Sequence, residues 1–202
     1  MTTIVHLVRH GEVYNPEGIL YGRIPGYTLS QRGQMQAATT ARSFSDHDVR
    51  YLVASPLERA QRTAAPFAEV TGLKIATDER LIESGNRFEG LRVKGLRSQL
   101  WHPARWPLLR NPFRPSWGEP YEDILARMLH AVEDARVKAE GHEAILVSHQ
   151  LPIVCVQRFV ADQRLAHSPA HRQCNLASVT SLVFEGPSLI DVVYSEPNRE
   201  EI

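Results

Sequence analysis

The residues Thr3-Ile4-Val5-His6-Leu7-Val8 favour β structure, and they end abruptly in Arg9-His10-Gly11. A short, mostly apolar run bounded by charge and glycine reads as a buried strand. Gly11 can take positive φ at the turn that follows. In open α/β sheets, ligands bind just beyond the carboxyl ends of strands. The run therefore delivers a guanidinium and an imidazole to the place where such a fold does chemistry.

The rest of the chain alternates strand-like and helix-like patterns. Ser30 is a candidate N-cap for a helix reaching about Ser43. Tyr51–Ala54 reads as a second strand, Ser55-Pro56 as the opening of a helix that Thr71-Gly72 closes, and Lys74–Thr77 as a third short strand. Pro120–Glu140 carries Ile124, Met128, Ala131 and Ala135 at helical spacing. Glu143–Val147 is the clearest buried strand. It ends in Ser148-His149, with a helix over Leu151–Val160 beyond it. Val179–Phe184 and Ile190–Tyr194 flank Glu185-Gly186-Pro187-Ser188 as a hairpin, and the polar tail from Ser195 is expected to fray. This order predicts an α/β fold, a three-layer α/β/α sandwich with a mainly parallel sheet. With 202 residues, 43% hydrophobic content and no linker or repeat, one domain over 1–202 is expected.

One stretch departs from the alternation. Residues 84–120 are rich in Arg, Trp and Pro, including Arg92, Arg97, Trp101, Arg105, Trp106, Arg110, Arg114 and Trp117. Long excursions of this kind tend to be lids or binding loops, so an insertion or lid is predicted there. Its arginines suit a second anionic group or a polyphosphate, and its tryptophans suit a ring or sugar face.

Lys+Arg 23 against Asp+Glu 23 gives no net charge, which argues against a general nucleic-acid or membrane surface. It leaves room for a local cationic pocket. Cys155 and Cys174 are too few for a disulfide framework and read as buried, reduced thiols of a cytoplasmic protein. The N-terminus lacks a signal-peptide pattern, and no apolar run is long enough for a membrane span.

Three strand ends carry reactive side chains: Arg9 and His10; Ser55, with Arg59 and Arg62 on the next helix; and His149. There is no nucleophile elbow with a Ser-His-Asp order, no Walker loop and no third ligand at metal-motif spacing. Two histidines and two arginines without a metal or cofactor fit phosphoryl transfer, whose charge spreads over equatorial oxygens. Arginine forks match that geometry, and histidine can serve as a covalent nucleophile. A leaving alkoxide needs a proton. Glu83, in Leu81-Ile82-Glu83, is the candidate acid, with Glu89 as its rival. Arg62 is placed equally well in a pair with Glu58. Ser55 reads as a helix N-cap, not a nucleophile.

Val8-Arg9-His10-Gly11-Glu12, followed by Leu29-Ser30-Gln31-Arg32-Gly33-Gln34-Met35-Gln36-Ala37, resembles the opening of the histidine phosphatase superfamily, the phosphoglycerate mutase-like clan. Ala54-Ser55-Pro56-Leu57-Glu58-Arg59-Ala60-Gln61-Arg62-Thr63-Ala64 resembles its second motif. Leu81-Ile82-Glu83 with Phe88-Glu89-Gly90 resembles the segment carrying its acid, and Val147-Ser148-His149 its last motif. The resemblance implies a phosphohistidine on His10, with Arg9 and Arg59 gripping the phosphoryl oxygens. It implies that His149 donates to the same group, and that Glu83 is first acid and then base. Asn15 and the backbone around Gln150 are implied as further phosphate contacts, and no metal is implied. Gln150 stands where members usually have glycine. The Ser84-Gly85-Asn86-Arg87 stretch lacks the aromatic-Gly pattern common in the phosphatases.

The reading that follows is a metal-independent phosphomonoesterase acting on a small phosphorylated metabolite. A phosphoglycerate-type mutase is the alternative within the class. A non-catalytic phospho-ligand binder on the same fold is the alternative outside it.

Overall fold

The computed structural model describes residues 1–92, 118–169 and 172–199. Its sheet contains β1 (Thr2–Arg9), β2 (Val49–Ala54), β3 (Ala76–Thr77), β4 (Glu143–Ser148), β5 (Val179–Glu185) and β6 (Ser188–Ser195), in the spatial order β3-β2-β4-β1-β5-β6. The first four strands in that order run parallel, and β5 and β6 add antiparallel to one edge. Helices α1 (Gln31–Arg42), α2 (Glu58–Thr71), α3 (Tyr121–Lys138) and α4 (Gln150–Val160) flank it.

Strand periodicity decides which helix meets which face. Val5, Leu7, Val53, Ala144 and Leu146 point to one side and pack with Met128 and Ala131 of α3 and Ile153 and Val156 of α4. Val8, Leu52, Ala54, Ile145 and Val147 point to the other and pack with Ala41 of α1 and Ala60, Ala64 and Phe67 of α2. Both faces of the central strands are thus apolar, as a covered parallel sheet requires. Among the described residues no helix is long and apolar enough to cross a membrane.

Several expectations change in detail. The third strand keeps only Ala76 and Thr77, because only these pair with β2. The second helix starts at Glu58 with Leu57 as its N-cap. Ser55 does not cap it, because the Ser55 hydroxyl is held by a histidine described below. Gly11 is not among the glycines at positive φ. Its constraint is close approach: a Cβ at Gly11 would lie 2.5 Å from the carbonyl oxygen of Gly33 in α1. The tail is pinned as far as Asn198, whose side-chain amide donates to Leu176 O at 2.8 Å. Of the excursion over 84–120, residues 93–117 lie outside the described residues, and so do the arginines and tryptophans singled out there other than Arg92. Its described ends meet, with Asn86 bridging Gly118 and Glu119 N donating to Gly85 O at 3.1 Å.

Candidate active site

The ladder continues past the strand ends and sets the site. His10 N donates to Ser148 O at 3.1 Å, and Ser55 N donates to Val147 O at 2.9 Å. The chain exits from β1, β2 and β4 are therefore in register, and His10, Ser55 and His149 emerge together. The first turn of α1 locks the β1 exit from outside. Ser30 Oγ accepts from Gly33 N at 3.0 Å and donates to Glu12 Oε1 at 2.7 Å. Gly11 N donates to Thr63 Oγ1 of α2 at 3.1 Å.

His10 is 2% exposed. Its Nδ1 lies 2.8 Å from Gly11 O. A carbonyl only accepts, so Nδ1 carries the proton and Nε2 keeps its lone pair. Burial, reinforced by the charges of Arg9 and Arg59, holds this imidazole well below the ordinary histidine pKa. The ring is thus neutral and nucleophilic at neutral pH.

His149, the N-cap of α4, is fully buried, and its ring centroid lies 5.1 Å from that of His10. Its Nε2 is 2.8 Å from Ser55 Oγ. Its Nδ1 is buried without a partner among the described residues, and it carries the ring proton in the tautomer in which the serine hydroxyl donates to Nε2. Burial and then the neighbouring His10 hold its pKa well below the ordinary value.

Arg59 is 1% exposed, donates to Gly22 O at 2.6 Å and stacks 4.8 Å from the centroid of the Tyr21 ring. Arg9 donates to Cys174 O at 2.6 Å. Among the described residues, the buried side-chain polar atoms without partners are Arg9 Nε, Arg59 Nε, His149 Nδ1, Thr28 Oγ1 and Ser178 Oγ. Three of these five, the two guanidinium Nε atoms and His149 Nδ1, belong to the convergent set. Buried donors left unmade are costly, about 1–3 kcal/mol each, and their clustering defines a pocket prepared for an anion.

The two carboxylates differ. Among the described residues, Glu83 Oε1 accepts from the adjacent Ser84 N, at 2.8 Å, and from no other group. Glu89 Oε1 accepts from Arg23 N and Asn86 N, at 3.1 and 3.2 Å, and packs so tightly on Gly22 that a Cβ there would overlap it. Glu89 therefore ties two loops together.

The remaining candidates lie as follows. Asn15 spends both amide atoms on Ile19, closing its own loop. Arg62 pairs with Glu58 at 2.8 Å on the exposed face of α2 and is not brought to the pocket. Gln150 reaches Cys174 O with its Nε2 at 3.4 Å, the carbonyl that Arg9 also uses. Sequence reasoning missed Tyr21, Gly22, Arg23 and Arg172, which come from loops without periodicity. Arg23 Nε donates to Glu83 O at 2.7 Å, and Arg23 NH2 pairs with Glu119 at 2.9 Å.

A separate histidine–carboxylate trio, His6, His47 and Glu143, has donor atoms within 4.8 Å of one another. Both rings converge on Glu143 Oε2, at 2.9 and 2.7 Å. The three satisfy one another as hydrogen-bonded groups.

The neutral histidine pair makes stability pH-dependent. The folded-state pKa values of His10 and His149 are lowered, so below about pH 6.5 the unfolded chain binds more protons than the folded one. Stability is complete above that pH and is lost as pH falls, by up to about 1.4 kcal/mol per unit for each ring. Urea unfolding from pH 8 to 5 is expected to show this slope, and His149→Gln to flatten it. An unchanged slope in the variant would remove His149 as a source.

The geometry defines an α/β protein with a buried, cationic, histidine-containing anion pocket at the carboxyl end of its parallel strands. The family model for histidine phosphatase superfamily (branch 1) matches residues 5–192, and the chain belongs to that superfamily. It is 56% identical to the uncharacterized protein Rv0525 of Mycobacterium tuberculosis strain H37Rv, over 96% of each chain. It is 28% identical to phosphoserine phosphatase 1 of Hydrogenobacter thermophilus, over 73% of this chain and 71% of that one. Among solved structures, it resembles the mycobacterial glucosyl-3-phosphoglycerate phosphatase Rv2419c with a TM-score of 0.75 and 25% identity, covering 97% of this chain and 98% of that one. Superfamily and neighbours together indicate an enzyme of the phosphatase or mutase type.

Proposed function

We propose that the protein is a metal-independent phosphomonoester hydrolase acting on a small phosphorylated metabolite in the cytoplasm, through a phosphohistidine on His10. The observation that carries this reading is the lone pair on His10 Nε2, fixed by the Nδ1 contact to Gly11 O and flanked by orphaned donors of Arg9, Arg59 and His149. Nε2 attacks phosphorus while the bond to the ester oxygen breaks. Arg9, Arg59 and His149 Nδ1 hold the equatorial oxygens as charge develops on them. The protonated Glu83 carboxyl gives its proton to the leaving alkoxide. The phosphorylated ring is cationic, its Nδ1–H still against Gly11 O. Water then gives a proton to the Glu83 carboxylate and attacks phosphorus. The N–P bond breaks, inorganic phosphate leaves and the neutral imidazole returns. Glu83 is assigned over Glu89 because the latter's oxygen already holds two backbone amides.

The test is rapid quench of p-nitrophenyl phosphate turnover in excess EDTA, with detection of base-stable, acid-labile phosphate on the His10 peptide. Turnover without that adduct, or turnover lost in EDTA, overturns the mechanism. Rapid transfer of the group to an alcohol instead of water makes the protein a mutase. Glu83→Gln is expected to lower kcat for alkyl phosphates by about 10²- to 10⁴-fold. It should slow the first step with p-nitrophenyl phosphate far less, because nitrophenolate leaves without a proton. Equal losses on both substrates would take the acid role away from Glu83.

A further inference from the structure

Away from the His10 pocket, towards the amino ends of the parallel strands, three side chains remote in sequence converge on one point. His6 lies within β1 and, by alternation with Val8, on the face covered by α1 and α2. His47 lies in the turn between α1 and β2, and Glu143 opens β4 opposite Ile4 of β1. Positions 6, 47 and 143 match no metal motif, so only the fold assembles them. His6 Nε2 and His47 Nδ1 lie 2.9 and 2.7 Å from the same atom, Glu143 Oε2. Rings serving only as hydrogen-bond donors could take one carboxylate oxygen each; here both address one.

The rings are held in place by their surroundings. Both pack on the buried Phe44 ring, with centroids at 4.9 and 4.8 Å. His6 Nδ1 lies 2.8 Å from Ser181 Oγ of β5. Metal-ligating histidines almost always engage their second ring nitrogen in this way, which fixes tautomer and orientation. His6 is buried, whereas the His47 side chain is 39% exposed, so the point of convergence is open to water. Burial raises the Glu143 pKa, but the contacts with His6 and His47 outweigh it and hold the carboxyl below the ordinary glutamate value. The third donor is therefore a carboxylate at neutral pH.

We propose that His6 Nε2, His47 Nδ1 and the Glu143 carboxylate bind a zinc ion, with water in the fourth position. Two imidazoles and a carboxylate form a zinc donor set, whereas magnesium and calcium take oxygen shells. With bonds of about 2.0–2.2 Å, tetrahedral ligands stand about 3.3 Å apart, so the two nitrogen–oxygen separations open by about 0.5 Å. The three donor atoms already lie within 4.8 Å of one another. Without the ion, hydrogen bonds satisfy the trio. On binding, the proton of each neutral ring shifts from the ligating nitrogen to the other one. None is released, and the Ser181 hydroxyl accepts from His6 Nδ1. The ion joins β1, the α1–β2 turn and β4, and so acts on stability. It takes no part in the phosphoryl reaction, since His10 follows His6 by four residues, about 13 Å along a strand. The proposal is independent of the hydrolase reading.

The test uses the full chain, stripped with EDTA, exchanged into chelator-free buffer and titrated with zinc chloride against a chromogenic indicator. The wild type is expected to bind one zinc ion per chain with a dissociation constant below about 1 µM. His47→Gln, at an exposed position, should weaken this site by at least about 100-fold. His10→Ala should keep it, which separates it from zinc entering the phosphoryl pocket. His142→Gln should keep it too, although it removes the neighbouring pair of His142 with Asp48 at 2.6 Å. Zinc should raise the urea midpoint of the wild type and not that of His47→Gln, and magnesium should raise neither. No site of this strength in the wild type, undiminished affinity in His47→Gln, or an equal loss in His10→Ala or His142→Gln overturns the proposal.

Discussion

Replacing His10 with alanine is expected to lower kcat/KM for p-nitrophenyl phosphate by at least about four orders of magnitude and to leave the fold intact. The two halves of this expectation have separate causes. The rate falls because the ring that takes the phosphoryl group is gone: the neighbouring arginines are cations, and His149 Nε2 is held at 2.8 Å from Ser55 Oγ. The fold stays because the His10 backbone, not its ring, continues the sheet, through the bond from His10 N to Ser148 O. Among the described residues the ring makes one hydrogen bond, to the carbonyl of the next residue. Losing it leaves one acceptor bare, at about 1–2 kcal/mol. Removing a buried imidazole also removes its share of the acid sensitivity, so the variant's stability should fall less steeply below pH 6.5. Circular dichroism and urea unfolding check the fold, and steady-state kinetics check the rate. Appreciable activity in a folded His10→Ala protein ends the phosphohistidine mechanism.

Much of the architecture was legible because it is written in local patterns. The apolar runs Thr3–Val8 and Glu143–Val147 sit in both clusters of the core by strict alternation, and their abrupt polar ends mark where chemistry begins. Ser30 caps α1 as its residue type suggests. Tertiary contacts overrode local signals elsewhere. Ser55-Pro56 has the chemistry of a helix start, yet Ser55 Oγ is taken by His149 and the helix begins at Glu58. Lys74 and Ile75 look like strand, but the edge of the sheet pairs only Ala76 and Thr77. Where the hairpin docks was not readable either, since nothing in Val179–Glu185 says that its neighbour is β1.

The site divides the same way. Arg9, His10, Arg59 and His149 sit at strand ends or on the helices that follow, so pattern finds them. Tyr21 and Gly22 come from an irregular loop that reaches the pocket because Glu89 anchors it at Arg23 N and fits against a glycine with φ of 39°. Arg172 depends on the side chains of Gln150 and His167, and its spacing from either motif carries no chemical signal. Arg62 shows the converse. It stands in the densest motif of the chain, yet three residues of helix turn it away from Arg59 and towards Glu58.

Arg59→Met is expected to move activity and stability in opposite directions. Among the described residues Arg59, fully buried, has no carboxylate partner and its Nε is orphaned, and burial pushes its pKa below the ordinary arginine value. Among the described residues, what holds it is one carbonyl, Gly22 O, and the face of Tyr21. Such a charge is a liability until an anion arrives, and an unbranched apolar side chain of similar length removes the liability without opening a large cavity. Replacing buried charge with packed apolar groups is often neutral or stabilising by about 1–4 kcal/mol, so the ligand-free variant should unfold at equal or higher urea concentration. Activity should fall by at least about 10³-fold, since one lost donor to a developing oxyanion already costs about 10²- to 10³-fold and a guanidinium can offer two. Inorganic phosphate supplies the discriminating control. It binds the folded wild type and raises its unfolding free energy with concentration, whereas the variant should show little of that gain. An Arg59→Met protein that is markedly less stable without ligand, yet still stabilised by phosphate, would make Arg59 a structural residue and leave the grip on the phosphoryl group to Arg9 and His149.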